Sequence, residues 1–111
     1  MTTTTPAAFA DDQEQREIAE ANALHDAADE ALGAGDHGRA ERCCRQALAI
    51  FERIDGASSP DVANLSITLS RILAASGDRG GAVRAAQRAW GILRPMPETR
   101  REGSLLHFLA L

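Results

Sequence analysis

The sequence has no tyrosine and no lysine, and its aromatic residues are limited to three phenylalanines and one tryptophan. A core with so few large rings must be built from alanine and leucine, which suit closely packed helices better than a sheet. All 12 basic residues are arginine. Together with the abundance of alanine, this composition indicates a bacterial source.

Cysteine is scarce, and the two that occur, Cys43 and Cys44, are adjacent. Neighbouring side chains on a helix diverge by about 100°, so these two cannot easily form a disulfide with each other. With His25 and His37 they raise the question of a metal site. The chain has no Cys-x-x-Cys and no histidine pair one turn apart, so we predict no metal and no cofactor.

Long apolar runs are also missing. No stretch approaches the roughly 18 apolar residues that a membrane span requires. The opening Met1–Pro6 has neither the basic start nor the apolar run of a signal peptide. We therefore expect a cytoplasmic location and no interaction with membranes.

Motifs for catalysis are absent as well. His25, Asp26, Asp29 and Glu30 would place an imidazole and three carboxylates on one helix. No Gly-rich phosphate loop and no nucleophile elbow accompanies them. We predict that the protein is not an enzyme.

The charge is unevenly distributed. The net charge is −4, but residues 1–36 hold nine acidic residues against the single Arg16, a balance of −8. Residues 37–111 hold seven acidic residues and eleven arginines, a balance of +4. The two parts should attract each other, within one molecule or between copies. The basic excess is too dispersed for nucleic-acid binding, which we do not expect.

The feature that organises the chain is a repeat with an offset of 42 residues. The dipeptide at 21–22, Ala-Asn, recurs at 63–64 with this offset. A fixed offset of this size is typical of repeat architectures. Seven further pairs of identical residues share it: Gly35/Gly77, Asp36/Asp78, Gly38/Gly80, Ala40/Ala82, Arg42/Arg84, Ala47/Ala89 and Ile50/Ile92.

Hydrophobic periodicity and capping residues predict an all-α fold of about five helices. After a disordered lead at residues 1–10, the helices would span about 12–34, 37–54, 60–76, 79–93 and 98–111. A short helical turn from Pro6, capped by Thr5, is an alternative for the lead. The predicted N-caps are Asp11 or Asp12 for the first helix and then Asp36, Ser59 and Asp78.

Each of the first four helices has a predicted inward face. On the first helix it consists of Ile18, Ala21, Leu24, Ala28 and Ala31 or Leu32. On the second it consists of Ala40, Cys43 or Cys44, Ala47, Leu48, Phe51 and Ile54. On the third and fourth it consists of Val62, Leu65, Leu69, Ile72 and Leu73, then Val83, Ala86, Ala89, Trp90 and Leu93.

A Gly-Asp turn followed by alanines at fixed spacing resembles the tetratricopeptide repeat. The 42-residue offset and the loop 56–63 resemble the kinesin-light-chain type of that repeat. The resemblance covers residues 21–94 and implies hairpins at about 12–54 and 60–94. They would stack as a short right-handed superhelix within one domain, 11–111. The sequence departs from the family pattern where large aromatic residues are common, at Leu24, Ala31, Ser66 and Leu73.

The resemblance also implies a groove lined by the first helix of each hairpin, where a peptide would bind. The asparagines that bind peptide backbone in the kinesin-light-chain type are replaced here at positions 25–26 and 67–68, so that chemistry does not carry over. An ordinary solvated helix face remains the alternative. The candidate groove residues are Asn22, His25, Asp29, Asn64, Ile67 and Arg71.

The tail from 98 to 111 ends in an apolar cluster that nothing in the sequence covers. One interpretation is a capping helix that lies on Trp90 and Leu93. The other is a self-association or docking segment, because exposed apolar patches tend to be interfaces. Two repeats are fewer than the about three usually needed for stability, so we predict a homodimer. The cluster consists of Leu105, Leu106, Phe108, Leu109 and Leu111.

These observations predict a protein–protein interaction module whose partner is another protein or a peptide segment. The alternatives are an oligomerisation or sensor fragment of a larger bacterial regulator and an accessory subunit of an enzyme.

Overall fold

The computed structural model describes the backbone of residues 6–96 and the side chains of residues 12–96. Within that range it contains four helices and no strand: α1 (Pro6–Gly33), α2 (His37–Asp55), α3 (Pro60–Ala75) and α4 (Arg79–Leu93). The all-α prediction is therefore confirmed over this range. The fifth helix, predicted at 98–111, lies outside the described residues, as does the apolar cluster of the tail.

Helix α1 begins at Pro6, six residues before its expected start. Residues 6–10 are helical, as in the alternative of a helical turn from Pro6, while residues 1–5 lie outside the described part. The physical reason is local. Proline is well suited to the first helical position, where its missing N–H costs nothing, and three of the next four residues are alanine, the best helix former.

The Gly-Asp turn is built identically in both copies. Gly35 and Gly77 have positive φ values of 80° and 94°. Their N–H groups each donate to the carbonyl three residues back, at 3.1 Å in both turns. The N–H groups of Asp36 and Asp78 donate five residues back, at 2.9 and 2.8 Å. Glycine tolerates this left-handed backbone, which satisfies the last carbonyls of the preceding helix.

The predicted N-caps Asp36, Ser59 and Asp78 are confirmed. The predicted cap of the first helix, Asp11 or Asp12, is wrong, because α1 begins at Pro6 and both residues lie inside it. Each confirmed cap side chain accepts a hydrogen bond from the backbone N–H three residues later. The distances are 3.1 Å for Asp36, 3.2 Å for Ser59 and 2.9 Å for Asp78. Because Asp36 and Asp78 also complete the preceding turn, each one ends one helix and begins the next.

The helices form two hairpins, α1 with α2 and α3 with α4, and α3 packs against both α2 and α1. Ala40 and Ala47 are fully buried in α2, and Ala82 and Ala89 are 8% and 2% exposed in α4. Small side chains at these positions let the paired helices approach closely, and larger ones would force them apart. No helix in the described part of the chain is long and apolar enough to cross a bilayer.

The predicted inward faces of α1, α2 and α3 are confirmed in the main. On α2 the inward cysteine is Cys44, which is fully buried, whereas Cys43 is half-buried. Ile18, Leu24 and Leu32 pack against the core as partly buried residues. The fully buried members of these faces are Ala21, Ala28, Ala31, Ala40, Cys44, Ala47, Leu48, Phe51, Val62, Leu65, Leu69, Ile72 and Leu73.

The inward face of α4 differs from its prediction. Val83 is 54% exposed and Trp90 is 45% exposed, whereas Ala82, Ala85 and Ile92 are buried beside the correctly predicted Ala89 and Leu93. The 42-residue offset gives the reason, because it aligns Trp90 with Leu48. Leu48 lies one turn after Cys44, whose thiol donates to Leu65 of α3. Within the described residues, α4 packs only against α3, so no further helix covers its other side.

Among the described residues, two close ion pairs connect α2 with its neighbouring helices. Arg53, near the end of α2, lies 2.6 Å from Glu17 of α1. Arg88 of α4 binds Glu52 of α2. Both pairs are partly exposed to solvent, and such pairs contribute about 0 to 1 kcal/mol each.

Candidate functional site

Helices α1 and α3, the first helices of the two hairpins, lie side by side and share a polar cluster. The Nε2 atom of His25 lies 3.0 Å from Oγ1 of Thr68, which is also 3.3 Å from the carbonyl oxygen of Asn64. A hydroxyl has one proton, and the Asn64 carbonyl can only accept it. When Thr68 donates to that carbonyl, the proton between Thr68 and His25 belongs to His25 Nε2.

Asp29 links the same two helices through charge. Its carboxylate oxygens lie 4.0 Å from Nε2 of His25 and 3.8 Å from Nη1 of Arg71. Both distances exceed those of a direct hydrogen bond, and the Asp29 side chain is 44% exposed. The carboxylate and the guanidinium therefore keep most of their capacity to bind another group.

The structure brings together three of the six candidate groove residues, His25, Asp29 and Arg71. Asn64 lies beside them through its carbonyl, and its buried Oδ1 atom has no hydrogen-bond partner among the described residues. Asn22 is exposed on α1.

Ile67 is a correction to the predicted groove. It is only 2% exposed and belongs to the hydrophobic core, so it does not offer an exposed surface to a ligand. The physical reason is its position on α3, which packs against three other helices and therefore buries most of its circumference.

Thr68 is the member of this cluster that the sequence analysis missed as a site residue. It is fully buried, yet its hydroxyl holds His25 in place. A signal was available in the spacing, since Thr68 follows Asn64 by four residues and precedes Arg71 by three. Residues at these spacings share one face of a helix.

A second acidic group lies near the start of α3. Partial burial raises the pKa of the Asp61 carboxyl, and the charge of Asp55 and a hydrogen bond with it act in the same direction. The charge of His25 lowers the pKa of Asp61. His25 is thus electrostatically connected to acidic groups on both sides, Asp29 along its own helix and Asp61 on α3.

The cysteines form no metal site with the histidines in the part of the chain that the structure describes, where no group of three possible ligands occurs. The thiol of Cys44 donates to the carbonyl of Leu65 at 3.4 Å. Burial raises the pKa of Cys44 to about 12. The thiol therefore stays protonated near neutral pH, and it serves as a small packing group between α2 and α3.

Comparison with known proteins identifies the family of this chain. The family model described as tetratricopeptide repeat matches residues 19–94. This span contains about half of α1 and all of α2, α3 and α4, including both Gly-Asp turns. No curated protein and no solved structure matches the chain. Because the family model covers more than half of the sequence and both hairpins, the chain belongs to the tetratricopeptide repeat family.

Proposed function

We propose that this protein is a protein-binding scaffold without catalytic activity, and that it binds a segment of another protein along the face shared by α1 and α3. Tetratricopeptide repeats generally mediate protein–protein interaction. The observation that supports this face most directly is the loosely paired carboxylate of Asp29 between His25 and Arg71. A peptide can replace such long contacts with direct hydrogen bonds at little cost.

The chemistry of the face suggests how a ligand would be held. Arg71 offers a guanidinium fork for a carboxylate or a backbone carbonyl, and Asp29 accepts from peptide N–H groups. The hydroxyl of the buried Thr68 holds the imidazole of His25 in place. Part of the site is therefore already ordered before binding. Such preorganisation reduces the entropy that binding costs.

The finer family assignment is part of this proposal. The 42-residue offset and the loop between α2 and α3 favour the kinesin-light-chain type and a right-handed superhelical stack. We further propose a bacterial cytoplasmic protein that binds neither nucleic acid nor membranes. An oligomerisation or sensor part of a larger regulator, or an accessory subunit of an enzyme, would use the same scaffold.

Co-purification from native cells, followed by mass spectrometry, tests the α1/α3 face. We compare the parent chain with the double variant Asp29→Ala/Arg71→Ala and with Arg79→Ala, an exposed arginine away from the face. A partner retained by the parent and by Arg79→Ala, but lost by the double variant, supports the proposal. A partner retained equally by all three would contradict it. The identity of the partner separates a regulator from an enzyme complex.

Self-association is a second candidate function, and Trp90 favours it. Trp90 corresponds to Leu48, which is 5% exposed, yet Trp90 is 45% exposed. The side of α4 that holds Trp90 is therefore a docking side that has no helix on it in the described part of the chain. We propose that the apolar tail segment 105–111 covers it, either within one copy or between two copies of a homodimer.

Light scattering after size exclusion tests the homodimer. We expect a dimer mass for the parent chain and a monomer mass for Leu106→Asp/Phe108→Asp. Thr99→Asp, which introduces an acidic residue outside the apolar cluster, should remain a dimer. A parent chain that is monomeric at high micromolar concentration would exclude the homodimer.

A further inference from the structure

The first and last helices of the described stack carry opposite charge. Helix α1 holds eight acidic residues and one arginine, whereas α4 holds three arginines and no acidic residue. Helix α1 packs on α2 and α3, and within residues 6–96 α4 packs on α3 alone. The two helices therefore do not touch each other in one copy, and their charges are free to attract another molecule.

Two carboxylates on α1 form an acidic pair that faces solvent. Asp26 and Glu30 are both exposed, and neither forms an ion pair with a described residue. Each lies two residues from the fully buried Ala28, so each points about 160° away from the core side of the helix. Their four-residue spacing places the two carboxylates on one side of α1, about 6 Å apart along its axis.

Arg84 and Arg88 form an arginine pair with the same four-residue spacing on α4. Both are exposed, and both line the open pocket between α2, α3 and α4. Arg84 forms no ion pair with a described residue, because Asp78, which also lines this pocket, accepts from the N–H of Gly81 instead. Arg88 pairs with Glu52, but both side chains are partly exposed, so this pair is weak. The arginine pair is therefore available to carboxylates from outside.

The two pairs are separate from the α1/α3 face and from the Trp90 side of α4. Trp90 lies two residues from Arg88, about 160° around the helix. On α1, the carboxylate that lies near Arg71 of α3 belongs to Asp29. A contact through the acidic pair and the arginine pair therefore uses none of the side chains proposed for peptide binding or for contact with the tail.

We propose that the arginine pair of one copy binds the acidic pair of a second copy. Because the spacing along the helix is equal in both pairs, two guanidinium–carboxylate contacts form at once. Guanidinium groups suit this role because they donate two parallel hydrogen bonds to one carboxylate. The balance of −8 in residues 1–36 against +4 in residues 37–111 acts in the same direction. Since two different surfaces meet, the contact is heterologous and produces rings or open chains of copies.

Sedimentation velocity of the full-length chain at two salt concentrations tests this contact. Exposed charges act over about 30 Å at about 0.01 M salt and over about 3 Å at about 1 M salt. We expect larger species at low salt, and an association constant that falls by about tenfold or more at high salt. Association through the apolar tail should persist at high salt, because apolar burial is not screened. The salt dependence therefore distinguishes this contact from the proposed tail contact.

Charge reversal assigns the contact to named side chains. Asp26→Arg/Glu30→Arg should lose the salt-dependent association, since like charges then meet. Arg84→Glu/Arg88→Glu should lose it for the same reason. An equimolar mixture of the two variants should associate again, because the intact arginine pair of the first variant meets the intact acidic pair of the second. Recovery in the mixture also shows that both variants are folded.

Two matched variants separate the position of a charge from the net charge. Asp12→Arg/Glu14→Arg changes two exposed acidic residues of α1 that lie at least about 18 Å along the axis from Asp26. Arg39→Glu/Arg42→Glu changes two exposed arginines of α2 that do not line the pocket. Both should retain the salt-dependent association.

Three results would overturn the proposal. The parent chain could have the same mass at both salt concentrations. The reversed pairs could associate like the parent, or the mixture could fail to recover. The matched variants could lose association as fully as the reversed pairs, which would show attraction by net charge without a defined contact.

Discussion

Nε2 of His25 and Oγ1 of Thr68 are 3.0 Å apart, although 43 residues separate them in the sequence. This contact joins the first helices of the two hairpins on the face where we propose that a partner binds. His25 is partly exposed and Thr68 is fully buried. The buried hydroxyl therefore restricts the orientation of the partly exposed imidazole ring. This interaction thus contributes both to the stacking of the hairpins and to the shape of the binding face.

Removing the hydroxyl should weaken this stacking. Thr68→Val keeps the shape of the side chain but leaves His25 Nε2 without its partner, and we expect a loss of about 1 kcal/mol in the free energy of unfolding. Urea denaturation of Thr68→Val, His25→Ala and the double variant gives the coupling energy between the two side chains. Asn22→Ala, on the exposed part of α1, is the control. A coupling energy of zero would contradict the role of this contact.

The same glycine-to-alanine change should have opposite effects at two positions. Gly77 has φ of 94°, where a Cβ atom is strained, so Gly77→Ala should reduce stability by about 1 to 2 kcal/mol. Gly91 lies within α4, and a Cβ atom added there meets nothing within 4 Å. Gly91→Ala should raise stability by about 0.5 to 1 kcal/mol. Thermal unfolding of both variants checks the signs, and equal signs would contradict this description of the turn.

The two adjacent cysteines should differ in reactivity. Cys44 is buried and its pKa is raised to about 12, so almost no thiolate forms near neutral pH. Brief treatment with iodoacetamide should therefore modify the half-buried Cys43 and leave Cys44 intact, as measured by mass spectrometry of peptides. In urea both should react. Rapid modification of Cys44 in the folded chain would show that α2 and α3 separate there.

The pKa of Asp61 should change when its charged neighbours are replaced. Its pKa is raised by partial burial, then by the charge and hydrogen bond of Asp55, and is lowered by His25. We expect Asp55→Asn to lower the pKa of Asp61 without restoring the ordinary value of 3.8, because partial burial remains. His25→Ala should raise it. Carboxyl carbon NMR measures both shifts, and an unchanged pKa in Asp55→Asn would contradict the pairing.

The raised pKa of Asp61 determines how its contribution to stability changes with pH. The folded chain holds the Asp61 proton more tightly than the unfolded chain, so the protonated carboxyl favours folding. This contribution is fully present below the unfolded pKa and is lost as the pH rises through the folded pKa. Unfolding measured across that range should show Asp61→Asn losing less stability with rising pH than the parent chain does.

Much of the fold followed from spacing in the sequence. The offset that relates Gly35 to Gly77 identified both hairpins, and Asp36, Ser59 and Asp78 were predicted correctly as caps. These features are local, because a cap or a left-handed turn is decided by a few neighbouring residues. The predicted groove was only partly informative, since it contained His25, Asp29 and Arg71 but omitted Thr68 and included the buried Ile67.

The sequence by itself determined where the helices begin and end and that they pair at small residues, because propensity, capping and periodicity act over a few residues. Tertiary structure decided which sides of those helices are covered. Leu48 and Trp90 hold equivalent positions, yet Leu48 is buried and Trp90 is 45% exposed. Whether a side chain is buried depends on the helix that packs against it. The hydrophobic periodicity of α4 does not show where such a helix lies.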